Sequence, residues 1–200
     1  MKRLLALAIA LAAPVAALAQ STWAFDGNHT HSSFTIRHLV ISNVRGEFGK
    51  TTGTLKLDES DVTKSSVEAT IETATIDTRV ADRDNHLRSP DFFDVAKYPK
   101  ITFKSTKVEK AGEGKLKVTG DLTIKNVTKP VVLDVTGPSG EIKDPGGNTR
   151  RGVSAVTRIN RKDFGLTWSK MVEAGPVVGD EVAIEIEAEL VKKDAKQAAN

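Results

Sequence analysis

The sequence predicts an all-β fold, an antiparallel β-barrel of about eight strands with a short lid of helix and loop. Along most of the chain, apolar and polar residues alternate with a period of two, which is typical of strands with one dry and one wet face. Glycine- and proline-rich turns separate these stretches. Residues 83–99 do not alternate, and their aromatic content indicates an ordered lid over a cavity, which favours a barrel over a sandwich.

The individual strands follow from the alternation. It is longest near the C-terminus, where the apolar set from Val182 to Leu190 alternates with a set that contains four glutamates. The stretch from Leu116 to Ile124 alternates with lysine, threonine and aspartate. Shorter alternations predict further strands at Phe34/Ile36, Leu55/Leu57, Val67/Ala69/Ile71, Ile101/Phe103, Val131/Leu133/Val135 and Phe164/Leu166/Trp168. Eight strands enclose an interior that is either filled by side chains or holds one small ligand.

The segment RDNHLRSPDFFDVAKYP, residues 83–99, is the predicted lid. The neighbours Phe92 and Phe93 cannot both face the same way on a regular strand, so we expect one or both to project into a cavity. Plain core packing is the alternative interpretation for the aromatic residues. Those that we consider are Phe92, Phe93, Tyr98, Phe103, Phe164 and Trp168.

Residues 1–19 have the pattern of a cleavable signal peptide. Lys2 and Arg3 precede an apolar run that ends in Ala17-Leu18-Ala19. The run is shorter than the roughly 20 residues that a membrane span needs. We therefore expect cleavage after Ala19, a single domain over residues 20–200 and no integral membrane segment. The expected location is the periplasm, with full secretion left open.

Composition argues against several classes of partner and cofactor. Without Lys2 and Arg3, the 29 lysines and arginines fall to 27 against 26 acidic residues, so the net charge is close to neutral. Such a chain has no basic footprint for nucleic acid. The absence of cysteine excludes disulfides, thiol chemistry and cysteine metal ligands. We expect no cofactor, and a fold that is stable through its core alone.

The histidines invite a metal or ligand-binding interpretation. His29 and His31 would share a face on a strand and could bind one ion, but they are not part of a recognised metal-binding motif. We therefore interpret both as polar residues of a loop and a strand start, and assign no metal. His38 has the parity of Phe34 and Ile36 and should point to the same apolar side. It is either a hydrogen-bonded core histidine or a polar group in a cavity.

A charged cluster in the lid region leaves an enzymatic function open. Its members are Arg79, Asp82, Arg83, Asp84, His86, Arg88, Asp91 and Asp94. General acid–base catalysis uses such groups in a pocket, so a hydrolase or isomerase is one alternative. No nucleophile motif or phosphate loop accompanies them, which favours capping and ion pairs that hold the lid. We assign no catalytic residue. Some of the cluster could instead contact an anionic head group at a cavity mouth.

Four blocks of the sequence resemble the YceI family, also described as the lipid- and polyisoprenoid-binding family. They are DGNHTHSSFTIRHLVISNVRGEFG (26–49), RDNHLRSPDFFDVAKYPKITFKS (83–105), GDLTIKNVTKPVVLDV (120–135) and the region from Gly152 through Asp163-Phe164-Gly165 to the final strand. The resemblance implies an extended, lipocalin-like antiparallel barrel, exported from the cytoplasm. It also implies an elongated hydrophobic cavity for a long-chain amphiphile such as an isoprenoid quinone or polyprenyl phosphate. It brings no catalytic residues and leaves the individual lipid open.

We therefore expect a non-catalytic carrier or store for such a lipid. The other alternative is a structural or stress protein whose barrel is solid, and a homodimer is left open. The expected ligand-binding residues are Phe34, Ile36, His38, Phe92, Phe93, Tyr98, Phe103, Phe164 and Trp168. The expected head-group residues are Arg83, His86 and Arg88.

Overall fold

The computed structural model describes residues 20–193, which form a closed antiparallel β-barrel with one short α-helix. The predicted signal peptide lies outside the described residues. The strands are β1 (Ser21–His38), β2 (Ser42–Phe48), β3 (Thr51–Leu57), β4 (Ser66–Glu72), β5 (Ile76–Asp77), β6 (Lys100–Gly112), β7 (Lys115–Ile124), β8 (Val127–Thr136), β9 (Ile142–Lys143), β10 (Thr149–Asn160), β11 (Met171–Val172), β12 (Gly175–Pro176) and β13 (Val178–Lys192). The helix is α1 (Ala81–Arg88), and short 3-10 helices cover Val62–Lys64, Thr73–Thr75 and Arg161–Phe164.

Eight strands form the barrel wall in an up-and-down order, which confirms the predicted fold class. The order is β1, β3, β4, β6, β7, β8, β10 and β13, and β13 pairs with β1 to close the circle. Closure pairs the first strand with the last, so the sheet does not end in two free edges. β2 runs in the same direction as β3 and pairs with the second half of β1. No helix within residues 20–193 is both long and apolar enough to cross a membrane.

The two ends of the barrel differ, and we call them the mouth and the floor. At the mouth lie the turn after β1, helix α1 with the turns that follow it, and the connection from β10 to β13. At the floor lie the first residues of β1, the β6–β7 turn and the end of β13. The predicted lid thus consists of one short helix followed by turns, and it lies at the mouth.

One predicted strand is wrong. Phe164, Leu166 and Trp168 alternate in sequence, but Phe164 ends a 3-10 helix and the other two lie in an irregular segment. The Asn160 side chain caps this helix by accepting from the Lys162 backbone N–H, and Gly165 then adopts a left-handed conformation with φ 75°. This turn reverses the chain across the mouth, where apolar residues are buried without strand pairing.

Candidate ligand-binding cavity

The barrel encloses a cavity of about 590 Å³ that extends along its length. Its wall is overwhelmingly aliphatic and aromatic, because the inward residues of the alternating strands meet there. The predicted inward sets of β7 and β13 supply Leu116, Val118, Leu122, Ile124, Val182, Ile184, Ile186, Ala188 and Leu190. The volume lies in the range of pockets that hold a small organic ligand. The interior is therefore not solid.

Aromatic rings in the wall lie across glycines of adjacent strands. The pairs are Phe34 on Gly46, Phe103 on Gly120 and Phe25 on Gly53. A Cβ atom added to Gly46 would lie 2.4 Å from Cζ of Phe34, far inside van der Waals contact. The ring thus occupies the space that a side chain would otherwise fill, and it lies against the wall. We infer that these glycines keep the cavity wide.

This arrangement predicts the effect of Gly46→Ala. The atoms that crowd the new Cβ belong to the side chains of Phe34 and Thr78, so the Phe34 ring must swing towards the cavity. We expect stability to fall by about 1–3 kcal/mol from overpacking. Retention of a long-chain isoprenoid quinone should fall by about tenfold, measured by gel filtration and extraction. Gly27→Ala is the matched control, because no atom lies within 4 Å of its added Cβ. Unchanged retention in Gly46→Ala would contradict the inference.

The floor is closed by Trp23, which is fully buried. Its indole Nε1 donates to Ser21 Oγ at 2.8 Å, and it packs with Leu57 and Leu190. The cations of Arg151 and Lys192 lie 5.1 and 5.3 Å from the ring centroid. These cations pair with Glu59 and Glu141. This closure was not predictable from the sequence, because Trp23 precedes the alternation that we assigned to the first strand.

The mouth is covered by an aromatic group from the lid. Phe92 is buried and its ring lies 5.2 Å from that of Trp168 and 5.0 Å from that of His86, centroid to centroid. Phe93 is half-buried and meets Phe48 edge-on at 5.8 Å. All of these side chains line the cavity. The charged lining residues Arg37 and Asp82 are exposed at the same end, so the cavity reaches solvent beside the lid.

Seven of the nine expected ligand-binding residues line the cavity. They are Phe34, Ile36, His38, Phe92, Phe93, Phe103 and Trp168. The expectation that Tyr98 and Phe164 contact the ligand is corrected, because neither residue belongs to the cavity lining. The Tyr98 ring packs outside beneath the ammonium groups of Lys97 and Lys125, at 5.2 and 5.8 Å. Phe164 is buried in the main apolar cluster, which also contains Phe48, Ile76, Phe92 and Leu166.

Two of the three expected head-group residues line the cavity, and the third does not. Arg83 lines the cavity, and its Nε and Nη2 donate to Thr78 at 2.7 and 2.8 Å. His86 also lines the cavity and lies 2.9 Å from Asp91 through Nε2. Arg88 lies outside the lining, and its guanidinium donates to the carbonyls of Ala74 and Ile76 at 2.9 and 2.6 Å. It therefore ties the lid helix to the segment before it, which corrects the expected head-group role.

The carboxylates of the charged cluster do not converge in the cavity. Asp84 is buried and accepts from both N–H and Oγ1 of Thr78, which fixes the turn into α1. Asp91 pairs with His86. Among the acidic residues of the cluster, Asp82 is the one that lines the cavity within the described chain. The arrangement fits the structural interpretation of the cluster better than an acid–base pair.

Arg161 is a buried cation at the mouth that sequence reasoning missed. It lines the cavity, and its guanidinium donates to the carbonyls of Leu166, Trp168 and Gly179 and to Asp180. Burial lowers the pKa of this guanidinium from its ordinary value, and the Asp180 charge opposes that shift. These bonds hold the segment that carries Trp168 against β13. An arginine beside a predicted strand end gave no signal of burial.

His29 belongs to a polar cluster on the outside of the barrel. Asp26, His29 and Glu189 come close enough to hold a cation, but the Arg150 guanidinium already lies between Asp26 and Glu189 at 2.6 and 2.9 Å. Arg150 holds the pKa of Asp26 well below its usual range, and His29 adds to this effect. His31 is exposed and does not join the cluster.

Fold and site together define an eight-stranded β-barrel with an apolar internal cavity, open at a lidded mouth and closed at a tryptophan floor. The chain belongs to the YceI-like domain family, whose model matches residues 23–190.

Comparison with known proteins agrees with this assignment. A UPF0312 protein of Vibrio parahaemolyticus is 39% identical over 191 residues, covering 94% of this chain and 95% of the relative. The crystal structure of a Campylobacter jejuni YceI protein superposes with a TM-score of 0.67 at 35% identity, covering 79% of this chain and 90% of that one. A polyisoprenoid binding domain from Saccharophagus degradans shares the fold, with a TM-score of 0.63 at 15% identity, covering 86% and 98%.

Proposed function

We propose that this protein binds a long-chain isoprenoid amphiphile, such as a quinone or polyprenyl phosphate, as a non-catalytic carrier or store. The observation that carries the proposal is the apolar cavity that extends along the barrel behind an aromatic lid. An apolar space lined along the length of the barrel suits a flexible hydrocarbon chain. The description of the Saccharophagus degradans domain as polyisoprenoid binding supports the same class of ligand.

The physical reason for such a carrier is the cost of exposing the chain to water. Each exposed CH₂ group costs about 0.8 kcal/mol relative to burial. A wall of valine, leucine, isoleucine and phenylalanine removes that area from water without directional contacts. Such a wall discriminates weakly between lipids of different chain length. Selectivity for a head group must therefore come from residues at the mouth. There Arg83 and His86 are the polar groups that we propose for head-group contact.

The engagement of the charged groups favours binding over catalysis. Asp84 and Asp91 are each committed to a protein partner, and Arg161 is committed to carbonyls and Asp180. We propose no reacting pair in the cavity.

We further propose that the protein acts after export, in the periplasm. The support is the basic, apolar and small-residue pattern of residues 1–19. Intact mass of the exported protein should show Gln20 as the first residue. A product that retains residues 1–19 and fractionates with membranes would contradict this location.

Mass spectrometry of an organic extract of the purified protein tests the function. We expect a co-purifying isoprenoid that disappears when the protein is denatured and washed before extraction. Clean extracts from several expression hosts, together with no uptake of added isoprenoid quinone, would contradict the proposal.

A further inference from the structure

We propose that the mouth of the barrel docks on the surface of an anionic lipid bilayer, with apolar loop tips inserted. This inference rests on the proposed function, since a lipid carrier must exchange its ligand with a membrane. The docking surface consists of three rim segments that surround the mouth, residues 37–43, 79–83 and 168–176.

Exposed apolar side chains concentrate on these rim segments. Among the described residues, eight large apolar side chains are exposed, and five of them lie on the rim. Those five are Val40, Ile41, Val80, Met171 and Val172. The remaining three are scattered over the outside of β8 and β10 and at β9 near the floor. Apolar clustering at a cavity entrance marks an interaction surface, whereas single exposed residues need no explanation.

Two of the rim segments are tied together. The Leu39 backbone N–H donates to the carbonyl of Val177, the residue that follows rim segment 168–176, at 2.9 Å. The Val177 N–H in turn donates to the Lys170 carbonyl within that segment, also at 2.9 Å. Arg37 Nη2 donates to the Val40 carbonyl at 2.6 Å and braces the same turn. Leu39 and Val40 have φ of 51° and 64°, which a β-branched residue rarely adopts. The turn therefore presents Val40 and Ile41 in a fixed position.

The charges on the rim favour an anionic surface. The three segments carry four basic residues, Arg37, Arg79, Arg83 and Lys170, against two acidic ones, Asp82 and Glu173. Basic residues beside inserted apolar side chains are the usual composition of a surface that lies on anionic lipid.

A bilayer fits this surface better than a second protein chain. A stable protein interface needs about 20–30 residues a side in a continuous patch. The rim offers five apolar side chains on three separate segments around an opening. Separate tips insert individually into a bilayer, and docking there places the cavity mouth directly over the lipid.

The structure offers a matched pair of variants to test docking. Ile41 at the rim is 76% exposed, and Ile142 near the floor is 63% exposed. The experiment measures flotation of the protein, purified after export, with vesicles of equal parts phosphatidylcholine and phosphatidylglycerol. We expect Ile41→Ser to lower vesicle partition by about tenfold and Met171→Ser to do the same. Ile142→Ser should leave it unchanged, and phosphatidylcholine alone should bind more weakly.

Three results would overturn the docking proposal. They are absence of binding by the wild-type protein, equal loss in Ile41→Ser and Ile142→Ser, and a change of oligomeric state in Ile41→Ser that accounts for the loss. Retention of isoprenoid quinone is measured separately in vesicle-free solution. Normal retention without vesicle binding contradicts docking alone, whereas loss of retention in the wild type contradicts the proposed function.

Discussion

Replacing Phe103 with aspartate is expected to have the largest effect of any single change in the cavity wall. The Phe103 ring packs against the main apolar cluster and against a second buried cluster that contains Val108 and Val118, and it lies over Gly120. Loss of a packed phenylalanine costs about 3–5 kcal/mol, and the carboxylate places a charge among apolar side chains. We expect a variant that either fails to fold or retains no isoprenoid lipid. Thermal unfolding and lipid extraction measure the two outcomes.

Thr106→Asp provides the control for Phe103→Asp. Thr106 is exposed on the same strand, so the same charge there stays in water and should change stability by less than about 0.5 kcal/mol. If Phe103→Asp keeps both wild-type stability and wild-type lipid content, the ring does not support the cavity wall. If Thr106→Asp is equally damaging, the effect belongs to strand β6 and not to the cavity.

The fold was predictable because each barrel strand has one dry and one wet face. The period of two is therefore visible in the sequence, and Phe34, Ile36 and His38, which share one parity, all lie in the lining. The alternation also predicted the inward faces of β7 and β13. At the mouth the same logic failed at Phe164, because apolar residues there are buried by a turn and a capped 3-10 helix, where alternation has no meaning.

The details of the cavity were less predictable, because they depend on pairing between strands. Gly120 was recognisable as an inward residue, but which ring lies over it follows from the register between β6 and β7. Arg88 donates to the carbonyls of Ala74 and Ile76. Every residue has a backbone carbonyl, so the sequence does not indicate which carbonyls an arginine will bind. Arg161 is likewise buried because the chain reverses at the mouth and brings backbone carbonyls, including those of Trp168 and Gly179, to its guanidinium.

Substitutions in the lid are expected to affect the rate of ligand release and the stability of the barrel to different degrees. The two phenylalanines of the lid should differ in their contribution to stability. Phe92 is buried in the main apolar cluster against Trp168, so Phe92→Ala should lower stability by about 3 kcal/mol. That corresponds to a fall of roughly 6–12 °C in melting temperature. Phe93 is half-buried and packs on the edge of that cluster, so its site can rehydrate and Phe93→Ala should cost much less.

Both lid substitutions should nevertheless speed ligand release, because both side chains line the mouth of the cavity. Stopped-flow release of isoprenoid quinone into acceptor vesicles measures the off-rate, and we expect an increase of about tenfold or more for Phe93→Ala with little loss of melting temperature. Arg88→Ala is the informative comparison, since Arg88 ties α1 to the carbonyls of Ala74 and Ile76 without touching the cavity. It should lower stability by about 1–3 kcal/mol and affect a polyprenyl phosphate and an uncharged quinone equally. An off-rate in Phe93→Ala equal to that of the wild type would show that the segment seals the barrel as a fixed plug, and that the ligand leaves by another route.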